Sequence, residues 1–280
     1  MSLYLRPKTL EEAVDVLARQ GGSILSGGTD FFPALGEMPV SGNVIDISAI
    51  GSMKGIISTA REHRIGGLTT WRDIVASSLP CSFDALKTAA REIGGIQIQN
   101  RGTIAGNLCN ASPAADSVPP LLVLDAEVEL VSTVEARRVP LSQFIVGNRK
   151  TKRRLDEILA TVIVPRAIDD AKSVFLKLGA RRYLVISIAM VAVSVKTGAN
   201  GRITDARVAI GACSATAQRL PDLERDLVGA AARVGLGALV RREHLVPLAP
   251  IDDVRATADY RMDAAVTLIS RALDNCVQKG

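Results

Sequence analysis

The chain has 280 residues, 48% apolar, 22% charged and only 3% aromatic, with a formal net charge of +5. That length suits one large or two smaller domains around an aliphatic core, and the composition excludes a disordered or fibrous chain. No apolar run approaches transmembrane length, and the opening MSLYLRPKTLEEA lacks the apolar core of a signal peptide, so a cytoplasmic protein is expected.

Other classes fall away on residue usage. The basic clusters Lys150–Lys152–Arg153–Arg154 and Arg241–Arg242 are short and lack interleaved aromatics, which reads as a solvated face rather than a nucleic-acid surface. Cys81, Cys109, Cys213 and Cys276 are widely separated, and the only histidines are His63 and His244. This pattern argues against a metal or iron–sulfur site within the chain and against a Ser-His-Asp triad.

In chain order, Thr9-Leu10-Glu11-Glu12 has capping-box spacing. Leu10, Ala13, Val14 and Leu17 follow a helical period that Gly21-Gly22 ends. A short strand, Ser23–Leu25, runs into the double-glycine turn Ser26-Gly27-Gly28-Thr29-Asp30. Residues 43–47 read as another strand, which suggests a small βαβ-like unit. Strands are expected at 55–58 and 64–67, helices at 69–76 and 82–93, and further strands at 126–132 and 155–164. Residues 166–171 read as a linker between a two-lobed domain, 1–165 with lobes of about 1–54 and 55–165, and a C-terminal domain, 172–280. The latter is expected to hold strands at 172–179, 188–197 and 202–212, an Asn200-Gly201 hairpin turn, and a helix-rich tail whose clearest helix is 263–277. The expected fold class is α+β.

The stretch from Ile93 to Asp125 stands apart. It is rich in glycine, proline and asparagine and nearly free of charge, so it can neither build a long helix nor serve as a solvated linker. Thr103, Asn107 and Ser112 offer neutral donors and acceptors there. The turn at 26–30 exposes amides in a concave nest suited to anionic oxygens, or is simply a tight turn. It is neither a Walker A loop nor a Rossmann fingerprint. A second glycine-bearing loop, 102–107, suits a ligand whose charge is met by backbone amides, and the two loops together are expected to hold one pyrophosphate or an extended dinucleotide. Asp116 either accepts from a cofactor hydroxyl or caps a helix at 117–124. Lys177 either snorkels from its apolar strand or faces a ligand. Cys109 is a reactive thiol or a small buried hydrophobe, and Trp71 and Tyr183 read as packing residues. No hydrolytic or group-transfer constellation is present, so any chemistry belongs to a cofactor.

At these residues the chain resembles the FAD-binding medium subunit of the molybdenum hydroxylases, the family of bacterial carbon monoxide dehydrogenase and xanthine dehydrogenase. The motifs that carry it are residues 26–30, the Ile-Gly-Gly-Ile-Gln-Ile-Gln-Asn-Arg-Gly-Thr-Ile-Ala-Gly-Asn-Leu run of 93–108, the Ala-Ser-Pro-Ala-Ala-Asp of 111–116, and Phe175-Leu176-Lys177 with Arg181-Arg182. The resemblance spans essentially the whole chain. It implies a PCMH-type, vanillyl-alcohol-oxidase-like FAD domain in which FAD lies between the two lobes. Ile24, Leu25, Ser26, Gly27, Gly28, Thr29, Asp30 and Phe31 would wrap the pyrophosphate, with Thr103, Ile104, Gly106 and Asn107 opposite. Asp116 would contact the polar chain of the cofactor, Ile93 and Leu159 would lie beside flavin or adenine, and Lys177 would reach the flavin.

The implied partners are a large molybdenum-cofactor subunit and a small 2Fe-2S subunit, in a dimer of heterotrimers that passes electrons to NAD+, a quinone or oxygen. Ala105 departs from the family pattern, which has glycine there. An alanine costs about 1 kcal/mol or more if the position needs positive φ, and little if it only needs a small side chain. Relatives of the benzoyl-CoA type carry an inserted cysteine-ligated cluster, whereas the scattered cysteines here imply FAD alone. A free-standing flavin reductase, or a binding module with a decayed flavin site, are the competing readings.

Overall fold

The structure is a computed structural model that describes residues 2–278. Near the N-terminus, helix Leu10–Gln20 is capped by Thr9, whose hydroxyl accepts from the Glu12 amide. It buries Ala13, Val14 and Leu17 against a three-stranded parallel sheet. Val44–Asp46 lies at the centre of that sheet, flanked by Ser23–Leu25 and by Tyr4–Leu5. The strand–helix–strand expectation is met, and Tyr4–Leu5 is an added edge too short to give a pattern.

A five-stranded antiparallel sheet follows, ordered Ile56–Ser58, Glu62–Gly66, Ile158–Pro165, Glu127–Val131, Ala136–Pro140. Glu127–Val131 alternates half-buried and buried residues, as a sheet with one wet face requires. That wet face carries a charge ladder in which Arg64 and Arg138 pair with Glu62 and Glu129. On the dry face lie helices Trp71–Ala76, Asp84–Glu92, Ile104–Asn110 and Val118–Val123, sharing one apolar cluster. The stretch after Ile93 is thus less irregular than its composition suggests. Thr103 caps one short helix, and Pro119 and Pro120, which need no amide donor in a first turn, open another.

The third sheet is an antiparallel meander of Lys172–Leu178, Ala189–Thr197, Ile203–Gly211 and Gln218–Arg219. Residues 189–195 are all buried, the mark of a strand covered on both faces. One face packs on helix Ala258–Gln278 through Val191, Val193, Ala265, Leu268, Ile269 and Ala272. The other, with Phe175, Met190, Ala192 and Ala209, joins the cluster of Leu86, Ala89 and Leu121. The helix begins five residues earlier than expected, and its buried stripe includes Ala265, Leu268, Ile269 and Ala272.

Residues 166–171 are packed rather than loose. Ile168 and Ala171 are buried, and the His63 ring bonds Asp169 at 2.8 Å and Ser58 at 2.7 Å. Ser, His and Asp therefore do meet, with hydroxyl on Nδ1 and carboxylate on Nε2, as a polar tie beneath Phe83. Among the described residues no helix is long and apolar enough to cross a membrane.

Candidate functional site

Two segments far apart in sequence meet at one bond. Ser26 Oγ and Thr103 Oγ1 share a hydrogen bond of 2.8 Å. Ser26 Oγ also accepts from the Gly27 amide at 2.6 Å, and Thr103 Oγ1 from the Gly106 amide at 3.1 Å. Thr103 sits in extended conformation at the N-cap of Ile104–Asn110, where a hydroxyl is favoured. Gly27 packs so tightly that a Cβ there would stand 2.1 Å from the Arg101 carbonyl oxygen. Gly28 is in the left-handed region at φ 75°.

Between the segments lies a cleft of about 660 Å³, within the range of small-molecule and cofactor sites. It is lined on one side by Ile24, Ser26, Gly27, Gly28, Thr29, Asp30 and Phe31, and on the other by Thr103, Gly106 and Asn107. Ile93 and Leu159 lie on its wall, as do Trp71, Cys109, Arg149 and Arg153. Most of the residues singled out from sequence thus converge. Leu25 and Ile104 instead point into the core, 6% and 0% exposed.

Asp116 and Lys177 do not line the cleft. Lys177 Nζ lies 2.5 Å from Asp116 Oδ2, and Ser187 Oγ donates to Asp116 Oδ1 at 2.5 Å. Both charged side chains are nearly buried, 7% and 9% exposed. Burial pushes the Asp116 carboxyl above its usual value, opposed by the Lys177 ammonium and the Ser187 hydroxyl. Lys177 therefore does not snorkel to solvent; it offsets a buried charge from the neighbouring sheet.

The two glycine loops are not equivalent. The first amides of Ile104–Asn110 are all satisfied internally: Ile104 by the Thr69 carbonyl, Ala105 by that of Gly67, Gly106 by Thr103 Oγ1 and Asn107 by the Thr103 carbonyl. They cannot meet the charge of a ligand, contrary to the expectation for residues 102–107. What this side offers is the bare Cα of Gly106 and the side chain of Asn107, whose carbonyl is held by Ser117 Oγ at 2.6 Å, leaving its NH2 for a ligand. The amides of Gly28, Thr29 and Asp30, by contrast, make no bond among the described residues. The anion-binding capacity belongs to the first loop.

Ala105 is helical and is not among the residues of positive φ. Its methyl group is 5% exposed and packs by Gly67, so the departure from glycine carries no backbone strain. Cys109 is held protonated, its thiol pushed up to about 11 by burial despite nearby Arg153. Arg149 and Arg153 escaped sequence reasoning, Arg153 because it read as part of a solvated basic cluster and Arg149 because nothing beside it marked a site. Arg149 lies in the turn of a short hairpin, Ile145–Gly147 with Lys150–Thr151, and Arg153 two residues beyond it, and both line the cleft.

A pyrophosphate-bearing, elongated cofactor fits this cleft: it has the free amides of residues 28–30 beside a glycine that admits no Cβ, a neutral hydrogen-bonding wall, apolar surfaces and two cations. The comparisons agree. A profile described as the FAD binding domain in molybdopterin dehydrogenase matches residues 1–167. A second, described as the CO dehydrogenase flavoprotein C-terminal domain, matches residues 175–276. The chain is 29% identical over 279 residues to the xanthine dehydrogenase FAD-binding subunit of Escherichia coli O157:H7, covering 98% of this chain and 95% of that protein. It is 33% identical over 235 residues to the nicotinate dehydrogenase FAD-subunit of Eubacterium barkeri, covering 81% and 79%. Among solved structures it resembles carbon monoxide dehydrogenase from Hydrogenophaga pseudoflava, with a TM-score of 0.88 and 26% identity over 99% of this chain and 96% of that one. The chain is an FAD-binding medium subunit of the molybdenum hydroxylase family, an FAD-dependent oxidoreductase subunit.

Proposed function

We propose that this chain is the electron-transfer subunit of a three-subunit hydroxylase. It receives electrons from the iron–sulfur clusters of a small 2Fe-2S partner, while a large partner holds the molybdenum cofactor and oxidises the substrate. It delivers the electrons to NAD+, a quinone or oxygen, within a cytoplasmic dimer of heterotrimers. The division into an FAD domain up to about residue 165 and a C-terminal domain from about 172 belongs to this reading.

The observation that carries the proposal is the Ser26–Thr103 junction, which closes a glycine nest on one side and a neutral wall on the other. Bound FAD supplies the chemistry, because a flavin exchanges electrons singly or in pairs. The residues of the chain bind and orient. Amides of residues 28–30 would face the pyrophosphate, Asn107 would hold the polar chain with Thr103 fixing the loop beside it, and Ile93 and Leu159 would flank the rings. The Asp116–Lys177–Ser187 cluster stands behind them and ties the C-terminal sheet to the cleft.

The titratable groups on the lining argue against a free-standing reductase. Among the described residues they are Asp30, the protonated Cys109 and two arginines. No histidine, the commonest general acid and the one a chain with its own organic substrate would most readily use, is among them. The test is co-expression with a large molybdenum-cofactor subunit and a small 2Fe-2S subunit. Substrate added without oxygen should bleach the flavin only when both partners are present. Bleaching of the isolated chain by the same substrate would overturn the proposal.

A further inference from the structure

Arg149 and Arg153 differ from the other arginines around them. Arg137 pairs with Glu157 and Arg154 with Glu135, yet among the described residues neither Arg149 nor Arg153 has a carboxylate partner. Both line the cleft. The hairpin that carries Arg149, with Arg153 just beyond it, is anchored rather than dangling. Arg149 is in the left-handed region at φ 58°. Its amide donates to the Ala111 carbonyl at 3.0 Å, and its side chain donates to Asn110 Oδ1. One nitrogen of Arg153 is held by the Arg154 and Glu157 carbonyls at 3.0 and 2.8 Å, which aims the guanidinium and leaves its other donors free.

The position of these cations along the cleft is set by helix Ile104–Asn110. Its first turn is at the Ser26–Thr103 junction, and its last residues, Cys109 and Asn110, are at the arginines. Six residues of helix separate the two points by about 9 Å. Ile93 enters the lining from a different element, directly after helix Asp84–Glu92, where Glu92 is close enough for its charge to act on Asp116 and on Arg182. Because the amides of Ile104–Asn110 are already bonded, among backbone groups they leave the negative charge of a pyrophosphate to the first loop. The two unpaired guanidinium groups are the remaining positive charge on the lining.

We propose that Arg149 and Arg153 grip the ADP half of FAD, donating to its phosphate and ribose oxygens and adenine nitrogens, and that they thereby select the dinucleotide over smaller flavins. The assignment rests on the reading of this cleft as the FAD site with the flavin toward Ile93. Guanidinium is the suited group, since its planar fork donates to phosphate at two points and stacks on an aromatic base.

The test titrates flavin-free full-length chain with FAD, with ADP in competition, and with riboflavin, which lacks phosphate and adenosine. Arg149→Gln and Arg153→Gln are compared with Lys150→Gln, which removes a charge from the same hairpin but off the lining. Each arginine variant should weaken FAD and ADP about tenfold or more. Riboflavin affinity and the flavin midpoint potential should stay at wild-type values, and Lys150→Gln should change nothing. FAD affinity unchanged in both arginine variants would overturn the proposal. So would a shifted midpoint potential with ADP affinity intact, which would place the arginines at the flavin ring. Arg149 is exposed, so its variant reads out even if Arg153→Gln misfolds. Failure of the wild-type chain to bind FAD would instead sink the cofactor-site reading itself.

Discussion

Ser26 and Thr103, 77 positions apart, share a 2.8 Å hydrogen bond that joins the anion-binding loop to the cap of the helix facing it. Thr103 does two jobs with one oxygen, since it also accepts from the Gly106 amide. Thr103→Val should lose the cap and leave Ser26 short of a partner, costing about 1 to 2 kcal/mol of stability. Thr103→Ser should restore most of it. Thermal unfolding of the three proteins checks this; equal melting temperatures for the valine and serine variants would contradict it.

Asp116 and Lys177 form the other long-range tie. Asp116→Asn strands an ammonium in the interior and should cost about 3 to 5 kcal/mol. Lys177→Met strands a carboxyl that can escape by protonation, because burial already raises its value. A raised folded-state value makes the charged form the unfavourable one, so this variant should lose stability relative to wild type as pH rises above about 4. Asp116→Asn/Lys177→Met together should lie closer to wild type than Asp116→Asn alone. A double-mutant cycle in urea measures the coupling, and strictly additive effects would show that the pair does not interact.

At position 105, helical backbone and a buried methyl group make alanine the better residue. Ala105→Gly, which restores the family motif, should lower stability by about 0.5 to 1 kcal/mol. It should leave FAD affinity within about twofold, a change well under the 1.4 kcal/mol of a tenfold effect. Flavin titration and thermal melts decide it; clearly tighter FAD binding would mean that the glycine serves the cofactor.

Asp253 gives the fold a dependence on acid. It accepts from the amides of Arg255 and Ala256 and from the guanidinium of Arg261, a buried cation that also bonds the Ile188 and Ala212 carbonyls. The Arg255 amide above all, with the Arg255 and Arg261 guanidinium groups, holds its carboxyl down to about 2. A depressed folded-state value adds stability that is present above about pH 4 and lost as pH falls toward 2. Melting temperature measured from pH 5 to pH 2 should fall more steeply for wild type than for Asp253→Asn. Parallel curves would remove Asp253 from the account.

Legibility followed the range of the signal. Helix Leu10–Gln20, the buried run 189–195 and the turn at Gly201 were plain because period, run length and turn chemistry are local. The glycine loops were legible as ligand-binding segments, but not as different in kind, because that depends on Thr69 and Gly67 carbonyls taking the amides of the second loop. The pairing of Asp116 with Lys177 was hidden for the same reason: each alone offers a ligand a charge, and only the packing of the third sheet on the cleft helices brings them together. Arg153 was concealed by its neighbours, since a basic cluster looks solvated until the fold sets one member on a cleft wall, and Arg149 stood in a turn that carries no site signal of its own.

The most direct measurement is the flavin content of the purified chain after incubation with FAD, beside that of Gly27→Val. A side chain at position 27 collides with the Arg101 backbone, so it should displace the loop from its helix and weaken FAD by at least about a hundredfold. The account predicts stoichiometric flavin in the wild-type chain, alone or with its partner subunits, and none in the folded variant. Wild-type chain that stays colourless with its partners present, or a Gly27→Val protein that binds FAD as tightly as wild type, would contradict it.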